Sequence, residues 1–461
     1  MASSHKFNYL TGGITAKGHT PIYKFHKYFA RRPHNVFGHI LEQYTDDGDL
    51  VVDCFSGGGV TVTEGVKLSR KVLGIDLNPL AAYVSSMQLT PVDKSDYKVA
   101  IEAIEHLFRK SVREWYTTDC RKCGESADVR WYEHAYDVKC PHCNKLTSLR
   151  NEDKYQKHGK AVNGSYACVS CNGLIKAADV KRIGSTIISL QYFCQKCGEN
   201  SDTVPNSCDH ALHNKFDQKY DDFVTKNELS IPDDIIPDYW DRQQEDCLHR
   251  KGIHRFSDLF TSRNLVATAL LKKTIQDQKA TLDNSVYKML MFTFSATLRY
   301  VNNLTFSTSA WMGGRPVAWA KHAYWIPNQF VEVNPIEYLE KRKKAFLSSL
   351  KYQNTHLQNL NPSNDPSDLL KSASMTSHSI ICQSSTSIPL PDNSVSAVIT
   401  DPPYGSNVQY GELSHFWLVW LKDELDEFLT ELTLDEEILT HRKTKYKGYS
   451  KSDEDLSLIH I

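Results

Sequence analysis

The residues whose types and order most clearly suggest a chemical role form a short run at 398–404, Val-Ile-Thr-Asp-Pro-Pro-Tyr. Its apolar and β-branched residues predict a buried strand. The prolines predict where that strand ends, because proline donates no ladder hydrogen bond and restricts the residue before it. Asp401 is therefore expected at the carboxyl end of a strand, where open α/β sheets bind ligands. Its carboxylate, the carbonyl of Pro402 and the ring of Tyr404 would then share one rigid turn.

These groups suit a flat base that carries an exocyclic amine. The amine is a poor nucleophile because its lone pair is delocalised into the ring. Hydrogen bonds to Asp401 and Pro402 would favour a more tetrahedral nitrogen, while Tyr404 stacks on the base. Little acid–base chemistry is needed if a methyl donor is held in line. Taken alone, the turn from Asp401 through Pro403 to Tyr404 is equally compatible with a structural proline turn.

A second chemical segment lies at 50–59, Leu-Val-Val-Asp-Cys-Phe-Ser-Gly-Gly-Gly. It predicts a strand and a glycine loop, and helical spacing follows it. Such a loop lets the backbone approach a ligand, and the helix start offers free N–H groups. A further strand pattern ends at Asp76, 23 residues after Asp53, which is the βαβ spacing at which an acid holds ribose hydroxyls. The combination favours a nucleoside-type cofactor over a structural turn.

Eight of the twelve cysteines form four Cys-x-x-Cys pairs, which in a chain without a secretory signal argue for metal rather than disulfides. The first and second pairs are separated by 16 residues, and the third and fourth by 22 residues. Both intervals are typical of zinc ribbons. Sequence order therefore predicts that the first pair joins the second and the third joins the fourth. Four thiolates per ion leave no open position, so two structural zinc ions are expected, with redox thiols as the alternative. The pairs are Cys120/Cys123, Cys140/Cys143, Cys168/Cys171 and Cys194/Cys197.

The composition limits the class of protein. At 461 residues the chain is long enough for two or three domains, and its net charge of −1 gives no global argument for a nucleic-acid partner. Residues 116–215 contain 14 Lys+Arg and 11 Asp+Glu, a surplus that two four-thiolate zinc centres would cancel. Any nucleic-acid face there must come from local clustering. No apolar run approaches the roughly 18 residues of a membrane span, so we predict a cytoplasmic protein without a membrane partner.

Between the two chemical segments the sequence is mainly helical after the cysteines. Cys208, Asp209, His210 and His213 are either a further metal cluster or, as we favour, exposed loop residues. A loop at 304–325 is expected to pack an aromatic cluster, with stacking on bases as the alternative. The polar stretch 361–379 is predicted to be a linker. The predicted helices cover 93–115, 256–278, 286–302 and 335–357, and strands are expected near 51, 72, 380 and 397.

Together these segments resemble the amino-directed DNA methyltransferases that use S-adenosylmethionine, and more closely the zinc-ribbon adenine-specific DNA methylases. The resemblance extends over most of the chain and is most specific at 401–412. It implies that Phe-x-Gly-x-Gly at 55–59 binds the methionine part of the cofactor and that Asp76 binds its ribose. The implied cofactor-binding residues are Lys27, Tyr28, Ala30, Asp53, Phe55, Gly57, Gly59, Asp76 and Asn78, and the implied catalytic residues are Asp401, Pro402, Pro403 and Tyr404.

The order of these motifs is that of the family's alpha group. It implies an α/β, Rossmann-like methyltransferase sheet with a large inserted zinc-ribbon and helical region. The domains would be the cofactor half at 1–115, two zinc ribbons at 116–215, a helical insert for target recognition at 216–370 and the catalytic half at 371–461. The family fold has seven strands, whereas four are predicted here, so the sheet is expected to be incomplete at its C-terminus. A second polypeptide would supply the rest, or the chain is a fragment.

The sequence therefore predicts a methyltransferase that acts on duplex DNA. It would flip an adenine and methylate N6, and cytosine N4 is chemically equivalent. One alternative is methylation of a guanine amine in RNA. Another is a non-catalytic zinc-ribbon subunit that binds nucleic acid and keeps the cofactor fold as a scaffold.

Overall fold

The computed structural model describes residues 13–307, 316–403 and 408–425. The helices are α1 (Pro21–Phe25), α2 (His34–Tyr44), α3 (Val60–Lys67), α4 (Pro79–Leu89), α5 (Lys94–Val112), α6 (Ser207–Gln218), α7 (Tyr220–Lys226), α8 (Asp241–Glu245), α9 (Ser262–Gln276), α10 (Asn284–Leu298), α11 (Pro335–His356), α12 (Asp368–Lys371) and α13 (Tyr410–Leu421). Short 3-10 helices cover Arg113–Tyr116, Asn151–Asp153, His249–Lys251, Phe256–Leu259 and Lys422–Glu424.

The strands are β1 (Leu50–Asp53), β2 (Lys71–Asp76), β3 (Thr117–Asp119), β4 (Ser126–Lys139), β5 (Leu146–Ser148), β6 (Lys154–Lys157), β7 (Lys160–Ala167), β8 (Leu174–Lys176), β9 (Arg182–Phe193), β10 (Asn200–Thr203), β11 (Gln329–Val333), β12 (Asn361–Pro362), β13 (Ser377–Cys382) and β14 (Ala397–Val398). Among them the chain has one parallel sheet and two antiparallel sheets within the described residues. The long helices predicted from spacing are present as α5, α9, α10 and α11.

The chain divides into two compact units by contact. The first contains residues 1–98, 283–296 and 342–461, and the second contains 99–282 and 297–341. The division falls within α5, α10 and α11. The functional domains predicted from the sequence, with boundaries at 115, 215 and 370, stay a prediction.

The first unit is built on a parallel sheet with the strand order β12-β13-β2-β1-β14. Strands β1 and β2 are buried and rich in valine, leucine and isoleucine, which is typical of strands covered on both faces. Helix α3 connects them and α4 follows β2. An α/β fold with a parallel sheet is therefore confirmed, and its four predicted strands are present. The prediction that the strand before Asp401 is buried is wrong, because β14 is last in the strand order and Val398 is 58% exposed.

One part of the strand prediction is wrong. The segment 361–379 is not a linker: it contains β12, α12 and the start of β13, and β12 pairs with Ser377 and His378 at the edge of the sheet. Strand β12 has only two residues, Asn361 and Pro362, so the sequence shows no alternation of apolar and polar residues that would predict it. The expected absence of further strands concerns the chain after residue 425, outside the described residues, and stays a prediction.

The strands of the second unit pair in antiparallel sheets. Strand β4 pairs with β9 along most of its length, β10 and β11 extend this sheet, and β3 and β5 pair with the two ends of β4. Strands β6, β7 and β8 form a separate three-stranded sheet. No helix within the described ranges is both long and apolar enough to cross a membrane.

Candidate functional site

The glycine loop after β1 is held by the acid at the end of β2. The backbone N–H of Gly57 donates to one oxygen of the Asp76 carboxylate at 2.7 Å, and that of Asn78 donates to the other at 2.8 Å. The N–H of Ser56 donates to the carbonyl of Ile75 at 2.9 Å. Burial raises the pKa of Asp76 to about 6. Asp76 thus fixes the loop, and each of its oxygens retains a lone pair for a further donor.

The loop also requires glycine for close packing. Gly59 has a φ of 74°, and a Cβ there would lie 2.7 Å from Oγ of Ser85. A Cβ on Gly58 would lie 2.5 Å from Nε of Arg31. At Gly59 the positive φ and the contact with Ser85 both favour glycine, whereas a side chain at Gly58 would displace the Arg31 guanidinium. The loop is therefore packed against Arg31, which lies just after the predicted cofactor residues Lys27, Tyr28 and Ala30.

Arg31 ends the segment predicted to line the cofactor pocket but is not among the predicted cofactor-binding residues. Its Nη1 donates to the carbonyls of Tyr23 and His26, whereas its buried Nε and Nη2 have no hydrogen-bond partner. Burial lowers its pKa to about 10. Unpaired N–H groups on a buried guanidinium beside a glycine loop fit a bound anionic group. Two adjacent arginines before a proline were its sequence signal.

The segment before Arg31 contributes an aromatic wall. The ring of Tyr28 stacks on that of Tyr410, with centroids 6.0 Å apart and planes inclined by 19°. Nζ of Lys27 lies 4.7 Å from the centroid of the Phe29 ring. Ala30 has a φ of 51°, which is unusual for a residue other than glycine. The structure thus places this segment beside the glycine loop, as expected; its role in cofactor binding stays a prediction.

A hydrogen bond joins the strand before the glycine loop to the segment before the predicted catalytic turn. Oγ1 of Thr400 donates to Oδ1 of the buried Asp53 at 2.7 Å. The N–H of Phe55 lies within hydrogen-bond distance of both, 3.1 Å from Asp53 Oδ1 and 3.2 Å from Thr400 Oγ1. Burial raises the pKa of Asp53. Because β1 and β14 are parallel neighbours, Asp53 at the end of β1 and Asp401 after β14 lie at the same sheet edge.

Asp401 is paired with an arginine from the N-terminal segment. Nε of Arg32 donates to Oδ2 of Asp401, and Nη2 donates to Oδ1 at 3.1 Å. A carboxylate has about four acceptor positions, and this bidentate pair uses one on each oxygen. Pro402 and Pro403 follow at the sheet edge. Tyr404, the last residue of the predicted catalytic turn, lies outside the described residues.

The eight paired cysteines come together in two groups of four. The Sγ–Sγ distances are 3.6 Å for Cys120–Cys197 and Cys123–Cys194, and 3.7 Å for Cys140–Cys171 and Cys143–Cys168. Tetrahedral zinc with Zn–S bonds of about 2.3 Å requires about 3.8 Å between sulfurs. These distances fit zinc and are far longer than a disulfide bond.

All four knuckles share one backbone geometry. In each, the residue after the second cysteine has a positive φ. Its N–H donates to the carbonyl of the first cysteine at 2.8 to 2.9 Å, and this bond closes a tight turn. These residues are Gly124, Asn144, Asn172 and Gly198. Glycine and asparagine tolerate this conformation best. The glycines at 124 and 198 are a sequence signal for knuckle turns of this kind.

The pairing predicted from sequence order is wrong. The first cysteine pair meets the fourth, and the second meets the third. The reason is the antiparallel pairing of β4 with β9, in which Asp128 lies opposite Phe193. The knuckle before β4 therefore meets the knuckle after β9. The second and third pairs lie inside this arrangement, around β5 and the β6-β7-β8 sheet.

The residues 208–213 are not an exposed loop, contrary to the prediction. They begin α6, where Asn206 caps the helix and Asp209 and His213 are buried. His213, His134 and Glu332 bring potential ligand atoms within 4.8 Å of one another. Burial and the neighbouring His134 lower the pKa of His213 to about 3.

This triad forms part of a buried ion network. Arg263 donates to both oxygens of Glu332, and Thr261 donates to Oε1 at 2.7 Å. Burial lowers the pKa of Arg263, but the ion pair with Glu332 outweighs it and raises that pKa above its usual value. A cation bound to Glu332 would lie beside a buried guanidinium. The Glu332 carboxylate is already compensated by Arg263, so this cluster is a buried ion network rather than a metal site.

The first unit is thus an α/β unit with a glycine loop and an acidic turn at one edge of its parallel sheet. Residues 6–86, which include this loop, match a family described as DNA methylase. The match supports the amino-directed DNA methyltransferase family that the sequence predicted. Comparison with curated proteins and with solved structures gives no significant match.

Proposed function

We propose that this chain is an S-adenosylmethionine-dependent methyltransferase that methylates the exocyclic amine of a flipped adenine in DNA, with cytosine N4 as the chemically equivalent target. The observation that carries the proposal is the hydrogen bond from Thr400 to Asp53. It links the strand before the glycine loop to the strand before Asp401. A cofactor at the loop and a base at the turn would thus meet at one sheet edge.

The residues at the loop fit the proposed cofactor. Asp76 retains acceptor capacity for ribose hydroxyls, and Asn78 is held beside it. Arg31 offers its unpaired N–H groups to the carboxylate of the methionine part. Lys27, Tyr28 and Phe55 belong to the segments that line the loop. When bound, the cofactor supplies an electrophilic methyl group.

At the turn, the chain's own residues prepare the amine. Asp401, oriented by Arg32, accepts a hydrogen bond from one N–H of the amine, and the carbonyl of Pro402 accepts a hydrogen bond from the other. These bonds shift the nitrogen lone pair out of the ring and toward the methyl donor. Once the nitrogen has gained the methyl group, its surplus proton passes to the Asp401 carboxylate and on to water. Tyr404 stacks on the base, which must leave the duplex stack to reach this edge.

In this proposal residues 1–115 and 371–461 form the catalytic domain. Residues 116–215 are the zinc ribbons, with two structural zinc ions, and 216–370 form the target-recognition insert. The zinc ions are structural because each set of four thiolates closes the coordination sphere.

The test is transfer of labelled methyl from S-adenosylmethionine to duplex DNA and, in parallel, to total RNA, with product nucleosides identified. We expect N6-methyladenine in DNA, lost in Asp401→Ala and retained in the control Asp202→Ala, which changes an exposed acid of β10. N4-methylcytosine would change the target base. Label only in guanine of RNA would overturn the DNA assignment. Cofactor binding without transfer to either would favour the scaffold alternative or a need for a second polypeptide.

A further inference from the structure

The hairpin of β6 and β7 ends in a tight turn with lysine on both sides. His158 and Gly159 have φ angles of 52° and 74°, as in a two-residue type I′ turn. Lys157 and Lys160 lie directly opposite each other in the strand register. Facing residues of a hairpin project from the same face, so two exposed ammonium groups lie side by side at this tip.

No acid in the hairpin compensates these charges. Residues 154–178 contain four lysines and a histidine but no aspartate or glutamate. Among the ion pairs of the described residues, none involves the lysines of this stretch, Lys154, Lys157, Lys160 and Lys176. Like charges opposite each other in a strand pair are destabilising. The hairpin therefore carries an electrostatic cost in the free chain that an anionic partner would remove.

The hairpin is held rigidly at its base. Strand β7 ends at Ala167, and the knuckle that follows begins with Cys168, whose N–H donates to the carbonyl of Gly173 at 2.9 Å. Tyr166 and Ile175, opposite each other in β7 and β8, are buried. The group of Cys140, Cys143, Cys168 and Cys171 thus fixes the strands from which the tip with Lys157 and Lys160 projects.

We propose that the tip of the β6-β7 hairpin is a contact surface for the phosphate backbone of duplex DNA. This inference rests on the proposed function, which makes DNA the substrate. A two-stranded ribbon fits the major groove. The tip carries lysines, which act as point charges, and no arginine, which would read guanine bidentately. It therefore positions the duplex rather than reading its sequence.

The test compares Lys157→Ala/Lys160→Ala with Lys215→Ala/Lys226→Ala in the full chain. The control removes two exposed lysines of α6 and α7 in the same unit, next to acids. Binding to a labelled duplex is measured by fluorescence anisotropy over a range of salt concentrations. The hairpin variant should bind about tenfold more weakly near 0.1 M salt. Its slope of log K against log salt should be smaller by about 2, since each phosphate contact contributes about 0.9.

Equal slopes for the hairpin variant, the control and the wild type would overturn the proposal, as would absence of duplex binding by the wild type. Selective loss of RNA binding would also overturn it. Methyl transfer at saturating DNA separates this inference from the proposed function. The hairpin variant should then turn over at the wild-type rate. If no variant transfers methyl, the proposed function fails, while the binding slopes still decide the role of the hairpin.

Discussion

Arg32 and Asp401, 369 residues apart in the sequence, form a bidentate ion pair at the carboxyl edge of the parallel sheet. Their side chains are 46% and 26% exposed. An ion pair this exposed contributes little to stability, about 1 kcal/mol or less. Its consequence is geometric, because a planar fork fixes the plane of the carboxylate that we propose to accept the amine hydrogen.

Replacing Arg32 should therefore affect turnover more than folding. For Arg32→Met we expect kcat for methyl transfer to fall about tenfold, with the cofactor KM and the unfolding free energy nearly unchanged. Arg32→Lys should recover only part of this loss, because lysine cannot bind bidentately. Arg113→Met, which breaks the exposed pair with Asp128, is the matched control. A parallel loss of stability and kcat would instead indicate a structural role.

Thr400 is expected to stabilise the first unit by satisfying a buried carboxyl group. Thr400→Val should lower the unfolding free energy by about 1 to 3 kcal/mol, because Asp53 and the N–H of Phe55 each lose a partner. Thr400→Ser keeps the hydroxyl and should remain within about 1 kcal/mol of the wild type. Denaturant unfolding measures both. Equal destabilisation by serine and valine would show that the methyl group, and not the hydrogen bond, is what matters.

Cofactor binding should weaken in mild acid through Asp76. Its pKa is raised by burial to about 6. Protonation below this value removes an acceptor that the glycine loop and a ribose hydroxyl would share. Calorimetric titration between pH 5 and 7 should show affinity falling as the pH drops through about 6. Asp76→Asn should bind more weakly throughout and show no such dependence.

The same carboxyl group has a defined effect on the ligand-free protein. Because its folded pKa is raised, the folded state binds more protons than the unfolded state between the two pKa values. The contribution of Asp76 to stability therefore falls as the pH rises through about 6. Asp76→Asn should remove that part of the pH dependence of unfolding. An unchanged profile in the variant would contradict the assignment to Asp76.

Zinc content distinguishes the observed cysteine pairing from the one expected from sequence order. Cys120→Ser/Cys194→Ser changes two cysteines of one group and should leave one zinc ion per chain. Cys120→Ser/Cys140→Ser changes one cysteine in each group and should weaken the binding of zinc at both sites. Elemental analysis after gel filtration measures the content. The reverse result, with one zinc retained only in the second variant, would restore the sequence-order pairing.

Local sequence signals predicted the elements of the site. Prolines marked the end of the strand at Asp401, and glycines after Asp53 and an acid at 76 marked the cofactor loop, because each signal acts within a few residues. The same holds for the knuckle turns at Gly124 and Gly198, where backbone conformation depends on the residue itself.

Tertiary structure alone decided which distant groups meet. The nested cysteine groups follow from the antiparallel pairing of β4 with β9, which no spacing between cysteines encodes. Burial of Asp209 and His213 depends on how α6 packs within the second unit, since a short polar helix has no strong apolar period. Arg32 reaches Asp401 because the segment before α2 and the segment after β14 lie at one sheet edge. Contacts between segments far apart in the sequence depend on the tertiary fold, so local sequence patterns do not predict them.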